Sequence, residues 1–304
     1  MTLPLAYLNG RLVDALSLSM PVYDAGFVLG ATVTEQLRTF GGTLFRLEQH
    51  LERFFQSLAM IRVEVPYSRQ SIVDMACDLA ERNHQLLAAG DDLGLCIFAT
   101  PGPYAAMAPP SAGGPVLAMH TFPLPFSQFA AKYRDGQRLA VSGVRQIPAA
   151  TLPRALKCRS RMHYFLADQQ VRDRDPAARA VLLDDDDSVL EATTANLLCY
   201  TKDEGLVSPP AERILPGISV AVAAELASEL GVPLRHRDLS VADLLQADEI
   251  LLTSTSMCVL PAVALNGQNV GDGRPGECFV RLVAAWSKAV GVDIVAQAQQ
   301  FSQR

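Results

Sequence analysis

Residues 189–231 read VLEATTANLLCYTKDEGLVSPPAERILPGISVAVAAELASELG, and the change of pattern along them decides the fold class. NLLCYT (196–201) is a short apolar run of strand length. GISVAVAAELASELG (217–231) has helical character and ends on glycine, the residue that most readily closes a helix. Leu215-Pro216-Gly217 ahead of it is a common way to begin a helix, with backbone N–H groups left free. Glu191, between Leu190 and Ala192 after an acidic turn at 184–187, reads in isolation as the end of a strand. Strand and helix alternate here without a regular βαβ repeat, which predicts a mixed α/β (α+β) chain.

The flanking sequence extends that reading. AYLNGRLVDA (6–15) predicts a hairpin about an Asn-Gly turn. LEQHLERFFQSLAMI (47–61) puts Leu47, Leu51, Phe54, Phe55, Leu58 and Ile61 on one side of a helix. SRQSIVDMACDLAERNHQLL (68–87) repeats the pattern, with Ser68 or Ser71 as N-cap. LGLCIFAT and PVLAMHTF read as strands separated by a loop containing PPSAGG (109–114). RLAVSGV, AARAVLLD and DEILLTST are further strands, and ECFVRLVAAWSKAV (277–290) is an amphipathic helix.

The chain has 304 residues, 49% of them hydrophobic and 19% charged. That length suits two domains of roughly 100–200 residues. A smaller N-terminal α/β domain at 1–123, a connector at 124–134 and a larger C-terminal domain at 135–304 are expected. The net charge of -6, from 26 basic and 32 acidic residues, speaks against a nucleic-acid surface. Six scattered cysteines form no C-x-x-C, so neither disulfides nor a metal site is expected. No membrane-length apolar run and no signal peptide are read, so a cytoplasmic protein is expected.

G-x-G-x-x-G after a strand, G-x-x-x-x-G-K-[ST] and G-x-S-x-G are all missing. What remains is a series of weak blocks in a definite order. They are Tyr23-Asp24-Ala25-Gly26-Phe27 with Gly30, then Thr43-Leu44-Phe45-Arg46-Leu47 leading to His50-x-x-Arg53, then Lys157. Glu191-Ala192-Thr193-Thr194-Ala195-Asn196 follows. Ser208-Pro209-Pro210, Ile214-Leu215-Pro216-Gly217-Ile218-Ser219, Ala247-Asp248-Glu249 and Thr253-Ser254-Thr255-Ser256 with Pro261 close the series. In order and spacing the chain resembles, almost end to end, the fold-type IV (class IV) pyridoxal-phosphate aminotransferases. That group includes branched-chain aminotransferases, D-amino-acid aminotransferases and aminodeoxychorismate lyases.

The resemblance implies a two-domain enzyme with pyridoxal 5′-phosphate between the domains, and a homodimer. It puts Lys157 where the cofactor is held as an imine and the proton is moved, and Glu191 beside the pyridine nitrogen. A buried carboxylate there keeps the ring protonated, which an electron sink needs. A free lysine titrates near 10.4, so it acts as a base near neutrality only when neutralised by imine formation or desolvation. Arg53 is assigned to the phosphate, which its planar fork suits. Ile218 and Ser219 join it through N–H groups at a helix N-terminus, following Gly217. Thr255 and Ser256 complete the phosphate cup, and Asn196 belongs to the same cofactor set.

Glu35 and Arg38 lie in a segment that the resemblance brings to the substrate side; as plain residues they read equally as an exposed pair on a strand. Arg161, if helical with Lys157, lies one turn beyond it and faces the cofactor, with Tyr164 two turns on. His50 reads as a brace for Arg53. D-amino-acid aminotransferases carry an Arg-x-His pair after the strand equivalent to LGLCIFAT, and residues 100–106 here have neither. Thr34 stands where branched-chain enzymes have an aromatic residue. The substrates implied are an amino acid, by analogy an aliphatic or branched-chain L-amino acid, and a 2-oxo acid. Aminodeoxychorismate lyase chemistry and D-amino-acid transfer are the alternatives.

Overall fold

The computed structural model describes residues 3–110 and 112–303, so Ser111 of the PPSAGG loop lies outside the described residues. Backbone contacts divide the chain into two compact units: Met1–Leu124 with Leu156–Ser160, and Pro125–Ala155 with Arg161–Arg304.

The first unit is a six-stranded antiparallel sheet in the order β2-β1-β6-β5-β3-β4. Its strands are β1 (Leu5–Leu8), β2 (Arg11–Asp14), β3 (Val33–Phe40), β4 (Thr43–Leu44), β5 (Leu93–Thr100) and β6 (Val116–Pro123). Asn9 and Gly10, at φ 49° and 72°, form the two-residue turn that Asn-Gly predicts between β1 and β2. α1 (Ala25–Val28) is a single turn capped by the Asp24 carboxylate. α2 (Leu47–Met60) and α3 (Arg69–His84) cover one face of the sheet. Leu51, Phe54 and Leu58 of α2, and Ile72, Ala76 and Leu79 of α3, pack there against Val33, Leu37, Leu95, Ile97, Leu117 and Met119. Successive strand residues alternate faces, so Thr34, Gln36, Arg38, Cys96, Phe98 and His120 belong to the opposite face.

The second unit begins with two short helices, α4 (Phe126–Phe129) and α5 (Lys132–Asp135). Phe126 stacks on Phe301, and the Tyr133 hydroxyl donates to the Met257 carbonyl at 2.7 Å. Of the segment 124–134 expected as a connector, residues 125–134 are packed and hydrogen-bonded inside this unit, and Leu124 belongs to the first. Its nine-stranded sheet has the path β12-β11-β10-β13-β14-β7-β8-β9, and β15 pairs with β14. The strands are β7 (Gln137–Val141), β8 (Ala178–Leu183), β9 (Val189–Ala192), β10 (Ala195–Thr201), β11 (Gly205–Ser208), β12 (Leu234–His236), β13 (Glu249–Ser254), β14 (Cys258–Leu265) and β15 (Gln268–Asn269). β9 also pairs with β10, so β10, β13, β14, β7, β8 and β9 close on themselves. β7 and β8 run parallel, and α6 (Met162–Arg172) lies in the crossover between them, as a parallel pair requires. α7 (Ile218–Glu229), α8 (Val241–Gln246), α9 (Glu277–Val290) and α10 (Ile294–Gln300) complete the unit.

The acidic run 184–187 forms the turn between β8 and β9 and is bridged rather than simply solvated. Asp184 pairs with Arg154 and Arg213, Asp186 with Arg213, and Asp187 with Arg145. Among the described residues no His/Cys/Asp/Glu group could hold a metal ion, and no helix is long and apolar enough to cross a membrane.

Candidate active site

In the first unit the helical period of α2 decides which side chains reach the sheet. His50, Arg53 and Ser57 fall at i, i+3 and i+7, on one stripe, and all three are buried. Glu35 shares the face of Val33 and Leu37, points at that stripe and is 0% exposed. Arg53 donates from Nε to Glu35 Oε1 and from Nη2 to Oε2, and His50 Nδ1 lies 2.8 Å from Oε2. Burial alone would raise the Glu35 pKa. The Arg53 charge and the Arg53 and His50 hydrogen bonds outweigh it and hold the carboxyl at about 2. Burial pushes the His50 imidazole the other way, below its ordinary value, against the pull of Glu35.

Glu35 and Arg38 are thus not an exposed pair. They stand on opposite faces of β3 and both are buried, Arg38 with its guanidinium 4.0 Å from the Phe40 ring centroid. The three-residue offset between them is what separates them, because a strand alternates its side chains.

Lys157 belongs to the first unit, within Leu156–Ser160, although the chain on both sides of that pentapeptide belongs to the second. Residues 157–159 are an extended edge segment: Thr34 N–H donates to the Lys157 carbonyl at 3.0 Å, and Arg159 N–H donates to the Thr32 carbonyl at 2.9 Å. The Lys157 N–H donates to Ser57 Oγ at 3.2 Å, which ties the segment to α2. A helix running from Lys157 through Arg161 is therefore ruled out. The edge of β3 takes the backbone bonds that a helix would have used, and α6 starts only at Met162, with Arg161 as its N-cap residue.

In the second unit the register of three adjacent strands lines up one row. Asn196 lies opposite Glu191 of β9 and opposite Thr253 of β13, so the three side chains share a face. The turn joining β9 to β10 is two residues long and bends at Thr194, φ 61°. All three row members are buried, and among the described residues the Thr253 hydroxyl has no hydrogen-bond partner. The Tyr164 hydroxyl and the Gln146 amide both donate to Glu191 Oε1. Burial, then the adjacent Glu191 charge, lifts the Tyr164 pKa well above its ordinary value. Tyr164 is therefore a donor throughout the physiological range.

Asn196 Nδ2 donates to the Leu215 carbonyl at 3.0 Å, fixing the turn that leads into α7. Gly217 is the α7 N-cap and makes no side-chain cap. A Cβ there would lie 2.1 Å from Asn196 Oδ1, so this approach needs glycine. The first N–H groups of α7, at Ile218 and Ser219, lie at the positive end of the helix dipole. Thr255 and Ser256 are half-buried in the tight turn between β13 and β14, where Ser254 pairs with Cys258. Ser57 and Gln146 were not singled out in the sequence, and Thr253 entered only within the Thr253-Ser254-Thr255-Ser256 block. Helical spacing from His50 and Arg53 marks Ser57, whereas Gln146 carries no local signal.

Comparison with known proteins fits this geometry. The amino-transferase class IV family profile matches residues 32–265. A Methanocaldococcus jannaschii chain assigned as a branched-chain-amino-acid aminotransferase is 28% identical over 278 residues, covering 91% of this chain and 93% of its own. The D-alanine aminotransferase of Bacillus licheniformis is 27% identical over 271 residues, covering 88% and 90%. A T.th. branched-chain amino acid aminotransferase, solved with pyridoxamine 5′-phosphate, is similar in fold at a TM-score of 0.84 and 22% identity, over 100% of this chain and 98% of that one. The chain belongs to the class IV aminotransferases. It is an aminotransferase, and its cofactor is pyridoxal 5′-phosphate.

The residues present suit that cofactor. The first unit offers the half-buried Lys157. The second offers a buried carboxylate, an uncapped helix N-terminus beside an obligatory glycine, and the unpartnered buried hydroxyl of Thr253.

Proposed function

We propose that this aminotransferase moves an amino group between an aliphatic L-amino acid and a 2-oxo acid, with glutamate and 2-oxoglutarate as counterpart. Lys157 would hold the cofactor through its side-chain amine and would move the proton at the substrate Cα. The cofactor supplies the electron sink that makes this Cα–H acidic. Glu191 would supply the buried negative charge that favours a protonated cofactor ring. Arg53, held in orientation by Glu35 and His50, supplies positive potential for the phosphate. The N–H groups of Ile218 and Ser219 after Gly217, with Thr255 and Ser256, supply its hydrogen bonds. Asn196 sets the α7 turn in place. Arg161 and Arg38 are read as substrate-side cations. A cytoplasmic homodimer belongs to the same reading, supported by the family.

The single observation that carries the proposal is the buried Glu191 carboxylate with two neutral donors fixed on it. The two donors hold the acid in one orientation, and its buried negative charge suits a ring cation. Against D-amino-acid transfer, residues 100–106 lack the Arg-x-His pair. Pro103 instead bridges to Asp24, and Tyr104 N–H donates to the Tyr23 carbonyl.

The test is borohydride reduction of the holoenzyme with peptide mapping, followed by half-reactions with L- and D-amino acids and with aminodeoxychorismate. A label on Lys157 and amino transfer from aliphatic L-amino acids are expected. A label on another lysine, exclusive use of D-amino acids, or pyruvate release from aminodeoxychorismate would each overturn part of the reading.

A further inference from the structure

Around two turns of the second unit's sheet lie three cations that the proposed chemistry does not use. Tyr133 ties α5 to the turn between β13 and β14 by donating to the Met257 carbonyl, and Lys132 is its neighbour in that helix. The Met257 sulfur lies 3.8 Å from Arg179 Nη1. Arg179 Nη2 lies 3.5 Å from Thr194 Oγ1, in the turn between β9 and β10. Arg172 of α6 completes the group, with Nη2 at 3.3 Å from Asp168 Oδ2.

These charges are poorly compensated. Among the described residues the Lys132 ammonium meets no hydrogen-bond or ion-pair partner, and a hydroxyl and a thioether are the acceptors within reach of Arg179. Asp168 is the carboxylate whose charge reaches both. Its oxygens are already engaged, Oδ1 by the Ala180 N–H and the Thr193 hydroxyl and Oδ2 by Arg172. Burial lowers the pKa of Lys132, and the charges of Arg179 and Arg172 lower it further. Burial acts on Arg179 in the same direction, opposed by Asp168 and reinforced by Arg172. Like charges held half-buried and close together favour an anion between them. Thr194 and Arg172 are exposed, so solutes can reach the group.

We propose that Arg179 and Lys132, with the Thr194 hydroxyl and Arg172 beside them, bind a phosphate group, free or carried by a small metabolite, at a site separate from the residues assigned to the cofactor. A planar guanidinium fork, a compact ammonium and a hydroxyl converging from different elements offer more donors than the two oxygens of a carboxylate can use, and they match a multiply charged phosphate. The location gives such an anion a consequence. The Thr194 turn joins the strand of Glu191 to that of Asn196, and Met257 follows Thr255 and Ser256, so one ligand would cross-link the two turns.

The experiment titrates cofactor-saturated holoenzyme, in a phosphate-free buffer, with inorganic phosphate and with glycerol phosphate by calorimetry. Absorbance of the bound cofactor is followed in parallel. Wild type is compared with Arg179→Met, Arg179→Lys, Lys132→Met and Thr194→Val, and with Arg174→Met as an exposed control. Binding without loss of cofactor absorbance is expected, weakened roughly 10- to 100-fold in Arg179→Met and less in the other site variants. Phosphate should also raise the melting temperature of wild type and not of Arg179→Met. If Arg179→Met does not fold, Lys132→Met and Thr194→Val carry the comparison. A monoester that binds more tightly than inorganic phosphate assigns the site to a phosphorylated metabolite, and equal binding assigns it to free phosphate. A wild-type holoenzyme that binds neither, site variants that bind as wild type does, or phosphate that only displaces the cofactor would each overturn the proposal.

Discussion

Arg53 meets Glu35 through two hydrogen bonds, Nε to Oε1 at 2.7 Å and Nη2 to Oε2 at 2.8 Å, with both side chains shut away from water. One partner is on a helix and the other on the strand beneath it, so the pair fixes α2 on β3 as well as fixing the guanidinium. Breaking a buried pair from one side leaves an uncompensated charge, which costs about 3–5 kcal/mol.

Stability should therefore fall in acid through Glu35. Its pKa in the folded chain is about 2 against an ordinary 4.5, so its contribution is complete above 4.5 and is lost as pH drops toward 2. Chemical denaturation between pH 6 and pH 2.5 should show that decline, on the order of 3 kcal/mol. Glu35→Gln should be less stable at pH 6 and lose less on acidification. An unchanged slope would show that the pair does not carry the effect.

Glu191→Gln should keep the fold and lose the chemistry. A neutral amide fills the same space and still meets Tyr164 and Gln146, but it cannot balance a ring cation. Half-reaction rates should fall roughly 100-fold or more, with circular dichroism unchanged. Tyr164→Phe removes one donor from the carboxylate and should lower holoenzyme stability by about 2 kcal/mol. A fully active Glu191→Gln enzyme would refute the role assigned to this acid.

Gly217→Ala should weaken cofactor retention. The added methyl would sit 2.1 Å from Asn196 Oδ1, so the turn into α7 has to shift and its N–H groups move with it. Dialysis against phosphate should release cofactor at least tenfold more readily than from wild type. Gly113→Ala, where nothing lies within 4 Å, is the matched control and should behave as wild type.

Glu249 gives a structural counterexample. Its carboxylate accepts from the Cys278 and Phe279 N–H groups at 2.7 and 2.9 Å, anchoring the start of α9. Glu249→Ala should lower the melting temperature, with a loss of about 2 kcal/mol. Its absorbance spectrum with cofactor should match wild type, which separates a fold acid from a site acid.

Much of this was open to sequence reading wherever the cause was local. The Asn9-Gly10 hairpin, the α2 stripe and the glycine ahead of α7 each follow from neighbours a few residues apart. Alternation in VTEQLRTF already puts Glu35 with Val33 and Leu37, on the apolar side, and away from Arg38. The row of Glu191, Asn196 and Thr253 depends on β10 pairing with both β9 and β13, and no short window of sequence records such a pairing. Tyr164 and Gln146 converge on Glu191 from separate segments for the same reason. The setting of Lys157 was hidden more deeply, because a helix after it is locally plausible and only the distant edge of β3 draws it straight.

That setting has a practical side for anyone recombining these proteins. Five residues of the N-terminal unit are encoded inside the stretch that builds the other one. A chimera made with a single crossover near 124 would inherit Lys157 from one parent and the strand edge that straightens its segment from the other. Grafts that respect the inserted pentapeptide as part of the upstream module should tolerate exchange where simple head-to-tail fusions do not.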